Sequence, residues 1–193
     1  LVLGRNTSVE SHIPAYVLHY YNNHGRLFLT FQDYSHSMVY FEKARIIGLK
    51  YGLKEDIIYV SSSMAECYDL MENHQKALQY RQETLRFHPQ LDLERAAYLS
   101  GLAWTLYKLG DYKMSIATSQ KVLKLLIQIP DKTSAFYFTI VVKQHWFMSA
   151  CAYRQRKYEE ANEKINHAIA LYHANFAIKT QNLANLYLLK AQI

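Results

Sequence analysis

Nine histidines, two cysteines and sixteen carboxylates are the groups through which this 193-residue chain could do chemistry. His12, His19, His24, His36, His74, His88, His145, His167 and His173 contain no pair three or four apart, the spacing that sets two imidazoles on one helical face for a metal. No metal site is expected. Cys67 and Cys151 are too few and too distant in sequence for a disulfide framework. Neither has a base that the sequence places beside it, so both read as compact apolar fillers. Glu159, Glu160 and Glu163 crowd the start of a helix, where they offset its dipole. A glycine-rich phosphate loop, a Gly-x-Ser-x-Gly elbow and a His-Glu-x-x-His pair are all missing. The chain is therefore read as non-enzymatic, and no cofactor is expected.

The elements that carry these residues are helices. In the stretch Leu99 to Pro130, Leu102-Ala103 and Leu106 alternate small and large apolar residues three and four apart. After a turn at Gly110-Asp111, the same pattern resumes at Ser115, Ile116, Ser119, Val122 and Leu123. That spacing predicts a helical hairpin closed by a proline. Its neighbours repeat the plan. An earlier hairpin carries Gly25, Phe28, Asp33-Tyr34, Ser37, Phe41 and Ala44, with Pro14 suited to its first turn. The next carries Met64-Ala65, Tyr68, a turn at Glu72 to His74, Ala77, Leu78, Thr84, Leu85 and a closing Pro89. The last full one carries Met148-Ser149, Tyr153, Tyr158, Ala161, Ile165 and Ala168.

The expected organisation is all-α, with about nine helices. A flexible segment over residues 1–13, containing Gly4, Asn6, Thr7 and Ser8, precedes hairpins at about 14–52, 55–89, 92–130 and 132–174. A fifth first-helix follows over 176–193, with Leu183, Ala184, Leu186, Tyr187 and Leu189. Six glycines, three prolines and no Asn-Gly dipeptide leave little material for β-hairpins.

The residues Leu-Ala-x-x-Leu, Gly-Asp-Tyr, small-x-x-x-large and Pro resemble the tetratricopeptide repeat, a right-handed superhelix of stacked helix pairs. The equivalent small residues Ser37, Ala77, Ser115 and Ala161 lie 40, 38 and 46 apart, beyond the usual repeat of about 34. The extra residues, such as Tyr51 to Ile57 and Asp131 to Phe138, fit an added helical turn beside each link. Extended repeats of this kind resemble those of bacterial regulators and kinesin light chains.

The resemblance implies a protein- or peptide-binding scaffold whose first helices line a concave groove. Carried over, the groove residues are Asn22 and Arg26; Ser62, Glu66 and Asp69; Ser100, Trp104, Tyr107 and Lys108; and Lys143, Trp146, Tyr153 and Arg154. Backbone contacts to a bound segment would come from Asn22, Ser62 and Ser100, and anchors from Trp104, Tyr107 and Trp146. The competing reading has both tryptophans filling the larger gap between extended repeats. The Lys/Asn clamp that some members use for a chaperone C-terminus is not matched by Asn22, Arg26, Ser63, Ala97 and Gly101. Tyr34, Tyr112 and Tyr158 recur directly after the turns, where they would pack against the next helix.

Charge narrows the partners further. Residues 1–100 carry 10 Lys/Arg against 11 Asp/Glu, whereas residues 101–193 carry 12 against 5. The basic half would favour acidic partners. Its densest point, Arg154, Arg156 and Lys157, reads as a solvated corner, so nucleic acid is not expected. No apolar run approaches the roughly 18 residues that span a bilayer, and no basic-then-apolar leader opens the chain. A cytoplasmic location is the default expectation. The apolar terminal helix implies either self-association or a chain continuing past Ile193, as in a sensory segment of a longer bacterial regulator whose output domain follows.

Overall fold

The computed structural model describes residues 7–86, 92–177 and 180–193. Among the described residues it is all-α, with nine helices and no strand: α1 Thr7–Thr30, α2 Tyr34–Tyr51, α3 Lys54–Leu70, α4 His74–Arg86, α5 Asp92–Lys108, α6 Tyr112–Gln128, α7 Ala135–Arg154, α8 Tyr158–Asn175 and α9 Gln181–Gln192. They form two compact units, Leu1–Pro89 and Gln90–Ile193. The first holds the α1/α2 and α3/α4 hairpins. The second holds α5/α6, α7/α8 and the single helix α9. No described helix is long and apolar enough to cross a membrane.

Each hairpin is built around one pair of small residues twelve positions apart. Gly25 faces Ser37, Ala65 faces Ala77, Ala103 faces Ser115, and Ser149 faces Ala161; the described burial of all four second members is complete. A serine in the pair hydrogen-bonds across the hairpin. Ser37 Oγ donates to the Gly25 carbonyl at 2.8 Å, and Ser115 Oγ to the Ala103 carbonyl at 2.8 Å. In the last hairpin the direction reverses, with Ser149 Oγ on the first helix donating to the Ala161 carbonyl at 2.7 Å. Smallness is demanded by contact: a methyl group at position 25 would stand 2.5 Å from the Phe41 ring, which is wholly buried.

Seven residues after the first small position the chain turns left-handed. Gln32, Glu72, Gly110 and Arg156 have φ of 61°, 59°, 82° and 62°. The amide of the following residue then reaches back five, Asp33 to Phe28, Asn73 to Tyr68, Asp111 to Leu106 and Lys157 to Ala152, which satisfies carbonyls the helix end would leave open. The same residue begins the next helix. Asp33, Asn73 and Asp111 accept from the amides of His36, Lys76 and Met114; Lys157 has no side-chain acceptor to offer.

Two expectations change. Helix α1 starts at Thr7, so residues 7–13 are helical rather than a flexible lead-in, and Pro14 lies inside the helix instead of in its first turn. There its missing amide leaves one interior backbone hydrogen bond unmade and its ring crowds the preceding turn, at a cost of about 3 kcal/mol. Of the insertion at 131–138, only Ala135 onward adds helix. Asp131 to Ser134 form a link in which Asp131 accepts from the Thr133 amide, and Ser134 caps α7 through the Tyr137 amide. Residues 1–6 and the closing Pro89 lie outside the described residues.

The first unit's core gathers Leu18, Phe41, Ala44, Val60, Met64 and Cys67. The second gathers Val142, Ala150, Ile165, Ala168, Tyr172, Leu183, Leu186 and Leu189, so α9 is held by packing on α7 and α8. Burial of each such large side chain contributes about 1.5–3 kcal/mol. A hydrogen bond between the Tyr172 and Thr180 hydroxyls, 2.8 Å, ties the start of α9 to α8.

Candidate functional site

Position relative to the small pair sets the stripe on which each candidate lies, and the helix packed opposite sets how far it is covered. Residues three before or four after it share its helical stripe, with Ser62, Tyr107, Trp146 and Tyr153 half-buried among them; Lys108 and Arg154, five after it, are exposed. Asn22, Ser100 and Asp69 fall on that shared stripe and are buried. Their burial leaves little surface to offer a bound segment. Ser100 Oγ accepts from Gln144 Nε2 at 2.7 Å, inside the second unit. Asp69, its side chain 4 % exposed, takes His74 Nδ1 on one oxygen at 3.1 Å and Arg81 Nη2 on the other at 3.2 Å, which fastens α3 to α4. The Asn22 side chain is buried, and its Oδ1 has no hydrogen-bond partner among the described residues.

Ser62 is half-buried, while Arg26 and Glu66 are exposed. Their charges already meet: Arg26 Nη1 lies 3.6 Å from Glu66 Oε2 and 3.5 Å from Ser63 Oγ. His19 Nε2 and Asp56 Oδ1 also meet between α1 and α3, at 3.0 Å.

The second unit differs. Trp104, Tyr107, Trp146 and Tyr153 are half-buried, and Lys108, Lys143 and Arg154 are exposed. Trp104 is the hub. Its ring centroid stands 5.7 Å from Tyr107, 5.9 Å from Trp146 and 5.9 Å from Phe147. Tyr107 meets Trp146 edge-on at 6.0 Å, and Tyr153 lies 5.9 Å from Tyr158. The Lys108 ammonium sits 5.2 Å above the Trp104 ring. At the other end the Arg154 guanidinium lies near the Tyr107 hydroxyl, which raises its pKa above the usual arginine value. Trp146 Nε1 donates to the Asn185 carbonyl of α9 at 3.4 Å. Five of the residues carried over from the repeat pattern, Trp104, Tyr107, Lys108, Trp146 and Arg154, therefore form one shelf across α5 and α7. Trp146, Tyr107 and Tyr153 also rest on the core, so gap-filling and surface presentation are two sides of the same rings.

Three polar groups escaped the sequence reading. Gln144 is completely buried, donating to Ser100 and to the Ile140 carbonyl while its Oε1 is unmatched. His145 packs on His167, and His74 and Arg81 complete the Asp69 cluster. The run Lys143-Gln144-His145 inside an apolar helix was the available signal. Cys67 and Cys151 are free and buried, and burial raises both thiol pKa values. Of the turn tyrosines, Tyr34 and Tyr112 are half-buried, but Tyr158 is 50 % exposed and does not pack as expected. Among the described residues no group of three or more His, Cys, Asp or Glu could hold a metal. His12 and His88 lie outside the described side chains.

No protein-family model matches the chain, and no curated protein matches it. Solved structures do. One is the apo form of RapI, similar at a TM-score of 0.70 and 13 % identity over 91 % of this chain. The match covers 63 % of the RapI chain, so this chain spans less than two thirds of its neighbour's length. The likeness shows the fold, an all-α helical-repeat solenoid.

Proposed function

We propose that this chain is a protein- or peptide-binding scaffold of the extended tetratricopeptide type, holding its partner against the first-helix face. One observation carries the reading: the second unit presents Trp104, Tyr107 and Trp146 half-exposed on adjoining first helices, flanked by Lys108 and Arg154. Aromatic and arginine side chains fixed by packing are the groups that anchor interfaces at small entropic cost. The proposed role is non-catalytic. The buried thiols have raised pKa values, which suits packing and not nucleophilic attack.

The test is a labelled-peptide library screened by fluorescence anisotropy, with hydrogen exchange on the complex. Binding with new protection in α5 and α7 supports the reading. Absence of binding, or protection confined to α6 and α8, overturns it.

A second reading is a ligand-sensing segment of a longer regulator, favoured by the match to only part of the RapI chain. The full gene product decides it: an output domain outside the present sequence supports it, and a transcript encoding no more than these residues removes it.

A further inference from the structure

We infer that the segment bound on the α5/α7 shelf is an acidic peptide, one that sets carboxylates on Lys108 and Arg154 and an apolar side chain on the rings between them. This rests on the binding reading above and specifies the partner's chemistry.

Three observations lead there. First, the shelf's cations are uncompensated. Among the described residues no carboxylate lies within ion-pair distance of Lys108, Lys143 or Arg154, whereas Arg26 in the first unit has Glu66. Second, the acids of this unit are engaged or distant. Helices α7 and α9 contain none. Those of α5, Glu94 and Asp92, sit in its first turn, about 21 and 24 Å along the axis from Lys108 at 1.5 Å per residue. Asp111, three residues after Lys108, is turned to the Met114 amide as the α6 cap, Asp131 holds Thr133, and Glu159, Glu160 and Glu163 belong to α8. Third, the cations flank the rings, Lys108 seated 5.2 Å over the Trp104 face and Arg154 on the last turn of α7 near Tyr107. Positioned charges recognise an anion with less ordering cost than free ones.

The same basic and aromatic composition could suit a single-stranded nucleic acid, which needs open ring faces on which bases stack. Here Lys108 stands over one face of Trp104, and Tyr107, Trp146 and Phe147 crowd that ring at tilted angles, an arrangement that suits a small apolar side chain better than a flat base.

Four fluorescein-labelled probes distinguish the outcomes. Three are peptide pools of about nine residues, with Glu, Gln or Lys at alternate positions and Leu, Phe or Trp mixed between them; the fourth is oligouridine of similar length. The expected result is at least about ten-fold tighter binding of the Glu pool than of the Gln pool, a difference that shrinks between about 50 and 300 mM salt. In the exposed double variant K108Q/R154Q, the Glu pool should bind no better than the Gln pool while the melting temperature holds. Equal or tighter binding of the Gln or Lys pool overturns the acidic preference and leaves the scaffold reading standing. Tighter binding of oligouridine overturns it in favour of nucleic acid. Failure of all three peptide pools overturns the scaffold reading itself.

Discussion

The His145 ring meets the His167 ring edge-on, centroids 4.4 Å apart and planes at 69°. His145 belongs to α7, and α8 turns His167 and Lys164 toward it. Burial first, then the charges of His167 and Lys164, lower its pKa from 6.5 to about 4. Its Nδ1 is buried without a hydrogen-bond partner among the described residues. The folded state therefore holds a neutral imidazole. The unfolded chain protonates near 6.5, so this group's contribution is whole above that pH and is lost as pH falls toward about 4. Allowing for its partial exposure, the loss is about 1–2 kcal/mol. Melting curves from pH 7 to pH 4 should show a shallower decline for H145Q than for the parent chain. Parallel curves would refute the assignment.

The Asp69 cluster predicts a stability effect with no effect on binding. Replacing Asp69 by Asn leaves the buried Arg81 guanidinium facing a neutral amide, which should cost about 3 kcal/mol. Urea unfolding would measure it, and a cost below about 0.5 kcal/mol would show that the carboxylate is not what fastens α3 to α4.

The turns predict stabilisation. Glu72 and Arg156 occupy a left-handed conformation that a side chain disfavours, and both are exposed. E72G and R156G should each raise stability by about 0.5–1 kcal/mol. At Gly110, where an added methyl group meets nothing within 4 Å, G110A should lower it by a similar amount through backbone strain alone. Thermal unfolding checks all three, and a stabilised G110A would contradict the turn geometry.

W104A separates anchoring from packing. Loss of a ring that touches Tyr107, Trp146 and Phe147 should cost about 2–3 kcal/mol of stability. If the shelf is the binding surface, peptide affinity measured well below the variant's melting temperature should also fall by about ten-fold or more. Affinity that stays unchanged in the folded variant would leave Trp104 as filler only.

The hairpins were legible because Gly110-Asp111-Tyr112 and Asp33-Tyr34 combine turn and cap chemistry with helical spacing on either side. The turns at Glu72 and Arg156 carry neither a glycine nor a proline at the critical residue; only their distance from Ala65 and Ser149 reveals them. Which of the carried-over residues stay accessible was only partly legible. Lys108 and Arg154, five places beyond a small residue, are exposed. Asn22, Ser100 and Asp69, three before or four after one, are buried, yet Ser62, Tyr107, Trp146 and Tyr153 at the same places are half-buried. Which polar residue a neighbouring helix will cover depends on how that helix arrives, and periodicity within one helix does not contain that. Asp69 was further hidden because its partners His74 and Arg81 belong to the following helix.

The facing pairs Gly25 with Ser37, Ala103 with Ser115, and Ser149 with Ala161 are each bridged by one hydroxyl, which can stand on either helix of the hairpin. The seam is therefore symmetric in its hydrogen bond but not in its room: beside Gly25 the Phe41 ring already fills the space, so moving the serine of that pair onto the first helix would drive a side chain into an aromatic wall, whatever stood opposite.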